Sequence, residues 1–146
     1  MKNFLDMHVA DYMTRGVMTV DASMTLRELE ALLETRDYNI LPVTECGAFA
    51  GIVTKYDFLK AFVMSTSRIV PRYDELMAMR AGDVMTRSLS TIKETARLTR
   101  ALQMMVEHKV RSIPVVDAVG GLSGVISRGD IMRALREATS ASSAAA

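Results

Sequence analysis

The amino-acid sequence repeats itself once, with a period of about 72 residues in a chain of 146. Three pairs of segments carry the match: VADYMT and AGDVMT at 9–14 and 81–86, LPV and IPV at 41–43 and 113–115, and GIVT and GVIS at 51–54 and 124–127. The last pair is offset by 73 residues, so one residue is inserted before it, in the turn-rich stretch 117–121. An internal repeat predicts two copies of one small unit. A unit of about 70 residues buries little core alone, so the copies should share their packing.

Each copy has the same predicted order of elements, β-α-β-β-α. The predicted strands are 16–21, 39–44 and 50–53 in the first copy, and 88–93, 111–117 and 123–126 in the second. The predicted helices have apolar faces at 26–33 and 98–106, and two more begin at Lys55 and Arg128 and run to Met64 and Glu137. We therefore expect an α/β (α+β) fold of two motifs packed face to face about a pseudo-twofold axis.

The repeat also divides the chain into segments. The first motif is predicted over 1–70 and the second over 71–137, with a linker at 65–80 that holds a short helix near 74–79. The tail 138–146 contains only Ala, Ser and Thr, which predicts a frayed helix end or disorder.

Composition argues against several classes of function. The 18 basic and 17 acidic side chains leave a net charge of +1, which gives no general attraction to nucleic acid or to an anionic membrane. Apolar runs are too short to cross a bilayer, and the first residues lack a signal-peptide core, so we expect a cytoplasmic protein. The single cysteine excludes an internal disulfide and a zinc site built on CxxC pairs.

The most informative pattern is a hydroxyl residue followed three positions later by an acid, where a strand passes into a helix. It occurs at Thr54 and Asp57 and again at Ser127 and Asp130. Taken alone, the pattern favours helix capping without further function. The same geometry also suits a nucleotide, because a helix N-terminus binds phosphate and a carboxylate can accept both hydroxyls of a ribose.

Together, the paired Met-Thr, h-P-V and G-h-h-[ST]-x-x-D elements make residues 8–137 resemble a tandem cystathionine-β-synthase (CBS) domain pair, or Bateman module. The resemblance implies a regulatory module that binds adenosine-containing ligands, such as AMP, ADP, ATP or S-adenosylmethionine, in two clefts between the halves. It also implies a disc-like homodimer, no required cofactor, and a signal passed to a separate effector protein.

The resemblance implies site residues position by position. One cleft would combine Thr54, Lys55, Asp57, Thr86, Ser90, Val110, Arg111, Ser112 and Pro114. The other would combine Ser127, Arg128, Asp130, Thr14, Met18, Tyr38, Asn39, Ile40 and Pro42. The two acids would hold the ribose. Because Arg111 in the first cleft corresponds to the uncharged Asn39 in the second, we hypothesise that the first tolerates more phosphate charge.

Other signals are weaker. His8 and His108 lack metal-binding spacing and predict surface or helix-end positions, and Cys46 falls in a predicted hairpin turn. The methionines at 13, 77, 79, 85, 104 and 105 are interpreted as core filling, with a dimer surface as the alternative.

We find no catalytic motif and no metal site in the sequence, so we do not expect an enzyme. The alternative to a ligand sensor is a CBS-like dimer that acts by protein contact alone. A further option is a subunit that associates with an enzyme such as a nucleotide dehydrogenase or a kinase.

Overall fold

The structure, a computed structural model, describes residues 3–35, 40–64, 73–87 and 90–145. The chain forms two compact units. The first, here called the central unit, spans Met18–Leu89; the second, here called the split unit, combines Met1–Val17 with Ser90–Ala146.

The central unit contains a three-stranded sheet with helices beside it. Its elements in chain order are β2 (Val20–Asp21), α2 (Leu26–Thr35), β3 (Ile40–Glu45), β4 (Ala48–Thr54), α3 (Lys55–Met64), α4 (Tyr73–Met77) and α5 (Ala81–Val84). The strand order is β2-β3-β4, with β2 parallel and β4 antiparallel to β3.

The split unit repeats this arrangement and adds a strand from the start of the chain. After a short 3-10 turn at Phe4–Asp6, its elements are α1 (Val9–Tyr12), β1 (Thr14–Arg15), β5 (Ile92–Lys93), α6 (Leu98–His108), β6 (Ser112–Val116), β7 (Leu122–Ser127) and α7 (Arg128–Ala145). The strand order is β1-β7-β6-β5; β5 is parallel to β6, and β1 is antiparallel to β7.

Each unit has its own hydrophobic core. In the central unit Leu26, Leu29 and Leu41 are fully buried, and in the split unit Leu98 and Ile126 are fully buried. Most apolar positions of the amphipathic helices α2 and α6 therefore face inward, as their spacing predicts. Val106, which was expected on the buried face of α6, is instead 70% exposed near the end of that helix. The methionines at 13, 77, 85, 104 and 105 are buried, and Met79 is half-buried against the central core, which fits core filling.

The Met-Thr segments join the unit built from the other sequence copy. Thr86 exchanges two backbone hydrogen bonds with Ile52 of β4, with N···O distances of 2.8 and 3.1 Å. Thr14 pairs with Val125 of β7 in the same manner. The boundaries of the compact units therefore differ from the boundaries of the two sequence copies.

The predicted mixed α/β fold and the β-α-β-β-α order are confirmed. Helix α3 has the predicted bounds, and α4 covers the helix expected near 74–79. Of the predicted strand at 16–21, only Val20–Asp21 forms a strand, because Gly16, directly after β1, leaves the extended conformation with a positive φ of 64°. Helix α7 continues through Ala145, across most of the predicted tail, and alanine has the highest helix propensity.

Two of the predicted segments extend beyond the described residues. Residues 65–72 of the predicted linker and residues 88 and 89 at the start of a predicted strand lie outside the described residues. Within the described part of the chain, no helix combines the length and apolar character needed to cross a membrane.

Candidate functional site

The Asp57 carboxylate is the centre of a hydrogen-bonded site in the central unit. Its Oδ2 accepts hydrogen bonds from the backbone N–H of Thr54 at 2.9 Å and from the Thr54 hydroxyl at 3.0 Å. Its Oδ1 accepts from the Thr86 hydroxyl at 3.1 Å. Asp57 is only 7% exposed, so these bonds compensate the cost of burying its charge. We call Thr54, Asp57 and Thr86 the Asp57 site.

The bonds at the Asp57 site confirm the predicted capping box. The Thr54 oxygen accepts from the backbone N–H of Asp57 at 3.2 Å, while the Asp57 side chain bonds back to Thr54. Both groups sit at the N-terminus of α3, where free N–H groups and the helix dipole favour negative charge. The cap uses Oδ2, so Oδ1 faces the Thr86 side of the site.

The Asp130 site in the split unit repeats the cap but has a different neighbour. Asp130 Oδ2 accepts from the Ser127 backbone at 2.9 Å and from the Ser127 hydroxyl at 3.0 Å. Its Oδ1 lies 3.9 Å from an Arg133 nitrogen. Among the described residues, no hydrogen bond joins Asp130 to the hydroxyl of Thr14, the equivalent of Thr86. We call Ser127, Asp130 and Arg133 the Asp130 site.

Two glycines allow the Met-Thr segments to approach so closely. A Cβ at Gly51 would lie 2.6 Å from the Thr86 carbonyl oxygen, and a Cβ at Gly124 would overlap the Thr14 carbonyl oxygen. Glycine inside a strand commonly marks such a backbone approach. The glycine of the repeated G-h-h-[ST] element therefore positions the threonine hydroxyl of the partner segment.

A cavity of about 430 Å³ opens beside Asp57 within the central unit. Its walls come from helix α3, from α5 and from the residues next to α5: Asp57, Lys60, Ala61, Met79, Asp83, Val84 and Met85. The lining combines a cation and two carboxylates with thioether and aliphatic groups. Such a mixture suits a ligand that has both an apolar part and hydroxyl groups.

A polar network occupies the corresponding region beside Asp130. Arg133 donates to the Tyr12 backbone oxygen at 3.1 Å and lies over the Tyr12 ring, 5.5 Å from its centroid. The Tyr12 hydroxyl donates to Glu137, and this hydrogen bond, together with burial of the ring, raises the pKa of Tyr12 above its ordinary value. The network ties α1 to α7.

An ion pair in the central unit holds the Thr86 segment to the β3–β4 hairpin. Arg87 donates to both carboxylate oxygens of Glu45, at 2.6 and 3.2 Å. This bidentate contact lowers the pKa of Glu45 and raises that of Arg87, since each charge favours the other. Both side chains are exposed, so the pair aligns the segment more than it stabilises the fold.

The structure distributes the sequence-predicted residues over both units. Thr54, Lys55, Asp57, Thr86, Met18, Ile40 and Pro42 belong to the central unit, and Ser90, Val110, Arg111, Ser112, Pro114, Ser127, Arg128, Asp130 and Thr14 to the split unit. Tyr38 and Asn39 lie outside the described residues.

Within each unit, some of these residues come together. Thr54 is brought to Thr86 by Asp57, and it pairs with Ile40 across β3 and β4. In the split unit the backbone N–H of Arg128 donates to the Arg111 oxygen at 2.9 Å. Lys55 and Arg128 are exposed at the first position of α3 and of α7.

In the split unit, Ser112 is buried and pairs with Ser127 across β6 and β7. Whether the residues of the two units form common clefts stays a prediction from the resemblance.

Of the residues that line the cavity beside Asp57, sequence reasoning assigned only Asp57 to a site, and it missed Lys60 and Val84 among the others. It also missed Tyr12 and Arg133 beside Asp130. A signal existed for two of them. Lys60 and Arg133 each follow their acid by three positions on a helix, and residues at that spacing share one face. Tyr12 and Val84 carried no such signal.

The weaker sequence predictions can also be located. His8 is exposed just before α1, and His108 is exposed at the end of α6, as expected. Cys46 is exposed in the turn between β3 and β4 with a positive φ of 51°, which confirms its place in a hairpin. No cluster of His, Cys, Asp and Glu that could hold a metal ion occurs in the described ranges.

Known proteins share this repeat. The CBS domain family matches residues 9–64 and 81–137. Uncharacterized protein MJ1225 of Methanocaldococcus jannaschii is 28% identical over 132 residues, which make up 86% of this chain and 46% of that protein. The CBS domain-containing protein YhcV of Bacillus subtilis is 28% identical over 124 residues, 84% of this chain and 81% of YhcV. The chain thus spans about half the length of MJ1225 and most of YhcV.

Solved structures show the same fold. The crystal structure of MJ1225 matches with a TM-score of 0.81 and 25% identity over 88% of this chain and 47% of that chain. CBSX2, a chloroplastic protein of Arabidopsis thaliana, was solved in complex with AMP; it matches with a TM-score of 0.77 and 28% identity over 90% of this chain and 97% of that chain. Since two matched motifs account for most of its length, the chain belongs to the CBS domain family.

Proposed function

We propose that this protein is a regulatory module that binds an adenosine-containing ligand through the Asp57 and Asp130 carboxylates and signals to a separate partner. The observation that carries the proposal is the buried Asp57 carboxylate. It holds the hydroxyls of Thr54 and Thr86 at a helix N-terminus and forms one wall of a cavity. The similar protein CBSX2 binds AMP, which supports an adenosine nucleotide as the ligand class.

The carboxylate can hold a ribose without losing its cap. A carboxylate has about four acceptor positions. At Asp57 the two bonds from Thr54 use Oδ2, and the Thr86 hydroxyl uses one position on Oδ1. A ribose hydroxyl would take the second position on Oδ1, and another would replace the Thr86 hydroxyl. Capping and ligand binding are therefore compatible at this site.

Phosphate groups of the ligand would find positive charge on the same helix. Lys55 begins α3 and Lys60 lines the cavity, and a helix N-terminus adds a favourable dipole. AMP, ADP and ATP fit this chemistry. S-adenosylmethionine is the alternative, since its thioether-derived tail would meet the methionines at 79 and 85.

Regulation requires that the ligand prefer one conformation of the module over another. We propose that the module acts as a homodimer and that an effector protein detects this preference. No required cofactor and no catalytic role are part of the proposal.

The second candidate is a protein-interaction module in which both acids serve only as helix caps. The reciprocal bonds between Thr54 and Asp57, and between Ser127 and Asp130, favour it, because they satisfy the capping role without a ligand. The two candidates differ in one respect, which is whether a nucleotide stabilises the folded chain.

A thermal-shift panel tests the proposal. The purified chain is heated with AMP, ADP, ATP, S-adenosylmethionine, NADH or GMP, and so are Asp57→Ala and Asp130→Ala. A ligand at a hundred times its dissociation constant adds about 2.7 kcal/mol to the free energy of unfolding. We expect AMP to raise the melting temperature of the unaltered chain and to lose this effect in Asp57→Ala.

Asp74→Ala is the matched control, because Asp74 is exposed on α4 and its carboxylate lies 3.6 Å from Arg27 in an exposed ion pair. It should keep the full response to AMP. If no nucleotide shifts the melting temperature, and both site variants are merely less stable, the interaction-module candidate replaces the proposal.

A further inference from the structure

The cavity beside Asp57 has a near-identical counterpart in the sequence of the split unit. With the repeat offset of 72 or 73 residues, its lining residues correspond to Asp130, Arg133, Ala134, Met7, Asp11, Tyr12 and Met13. Five of the seven positions carry the same residue in both copies. The two that differ are Lys60, which becomes Arg133, and Val84, which becomes Tyr12.

Both differences place a larger side chain in the split unit. Tyr12 is 7% exposed and belongs to the hydrophobic core there. Its ring lies under Arg133, and its hydroxyl bonds to Glu137 of α7. In the first sequence copy the position equivalent to Glu137 is Met64, which offers no carboxylate that could accept a hydrogen bond from such a hydroxyl. Tyr12 therefore occupies volume that Val84 leaves open.

The larger cation also forms an ion pair with the acid. Arg133 stands 3.9 Å from Asp130 Oδ1 and is held by its bond to the Tyr12 backbone. A ligand hydroxyl approaching that oxygen would have to displace Arg133. At the Asp57 site the same oxygen accepts, from the described part of the chain, only the Thr86 hydroxyl, which a ribose hydroxyl can replace one for one.

We propose that the two carboxylate sites are unequal, with the Asp57 site open to the adenosine ligand and the Asp130 site closed by Tyr12 and Arg133. This inference rests on the proposed function and specifies which site carries it. The cavity of about 430 Å³ lies within the range of small-molecule sites. The chain should bind one AMP per polypeptide, and Val84 and Tyr12 should determine which site is used.

Calorimetric titration of AMP into the full chain tests the inference through reciprocal exchanges. Val84→Tyr places the larger side chain in the open cavity and should weaken AMP binding about tenfold or more, about 1.4 kcal/mol or more, because the ring takes up volume that the ligand needs. Tyr12→Val should open the second site and raise the stoichiometry from one to two AMP per chain. Arg133→Lys, a milder change at a half-exposed side chain, should produce a weaker second site if Tyr12→Val fails to fold.

Matched controls separate these effects from general destabilisation. Val106→Tyr changes an exposed position on α6, and Tyr73→Val changes an exposed position on α4. Both should leave the affinity and the stoichiometry unchanged.

The outcomes distinguish the inference from the proposed function. Three results would overturn the inequality and leave nucleotide binding intact. They are two equal sites in the unaltered chain, a single site that survives Asp57→Ala, and a Val84→Tyr variant that binds AMP normally. An absence of AMP binding in every variant would overturn both.

Discussion

At position 51, and again at position 124, the side chain can be no larger than a hydrogen atom. A Cβ at Gly51 would lie 2.6 Å from the Thr86 carbonyl oxygen, and one at Gly124 would overlap that of Thr14. At Gly129, in the first turn of α7, a Cβ would meet only the Ser127 hydroxyl oxygen, at 3.7 Å. The same substitution should therefore have opposite effects at these positions.

We predict that Gly51→Ala lowers the free energy of unfolding by about 1–3 kcal/mol, because the Met-Thr segment must move away from β4. Gly129→Ala should be neutral or stabilising by about 0.5–1 kcal/mol, since alanine favours a helix over glycine. Urea denaturation of both variants checks this. Equal stability of the two variants would contradict the close approach.

The raised pKa of Tyr12 makes the free energy of unfolding depend on pH in alkaline solution. Its pKa is raised in the folded chain, first by the hydrogen bond to Glu137, so the neutral phenol is the form that stabilises the fold. Its contribution is complete below the ordinary value of 10 and is lost as pH rises through the folded-state pKa.

Tyr12→Phe removes this contribution and should cost about 1 kcal/mol at pH 8. The difference in unfolding free energy between the unaltered chain and the variant should shrink as pH rises above 10. Denaturation curves from pH 8 to pH 11 measure it. A difference that stays constant over this range would mean that the hydrogen bond to Glu137 contributes nothing.

Many of the helices and strands follow from local sequence patterns. The apolar spacing of α2 and α6 predicts their buried faces, and the turn at Cys46 separates β3 from β4 as expected. The short helices α1 and α5 were not predicted, because four residues are too few to show a helical period.

The exchange of the Met-Thr segments could not be deduced from periodicity. Both copies have the same spacing, so pairing within a copy and pairing between copies produce the same sequence pattern. The glycines at 51 and 124 mark a close backbone approach but do not say which segment approaches. For the same reason, Tyr12 and Val84 could not be assigned to a site before the structure placed them.

The contribution of helix α4 to the core of the central unit can be tested by substitution. Met77 is 1% exposed and belongs to the core of the central unit, although α4 comes from the predicted linker. Met77→Ala should lower the free energy of unfolding by about 2–5 kcal/mol, since it leaves a cavity. Met132→Ala, at a 58% exposed position, should change it by less than about 0.5 kcal/mol. If Met77→Ala is equally harmless in thermal melts, α4 does not contribute to that core.

At the scale of the whole molecule, the repeat provides two similar carboxylate sites whose surroundings differ. The sequence alone identified Asp57 and Asp130 and their capping hydroxyls. The difference between the two sites depends on Tyr12, Arg133 and the cavity, which only the folded chain brings together. Under the proposed inequality, both copies contribute to the stability of the fold and one of them binds the ligand.

An amide NMR titration of the uniformly labelled chain with AMP tests directly whether the Asp57 site binds the nucleotide. We predict saturable shifts for the amides of Thr54, Asp57 and Thr86, and their loss in Asp57→Ala but not in Asp74→Ala. GMP at the same concentration should produce smaller shifts, which tests the preference for adenine. Spectra that do not change with AMP, or changes confined to residues far from Asp57, would contradict the assignment of this protein as an adenosine-ligand sensor.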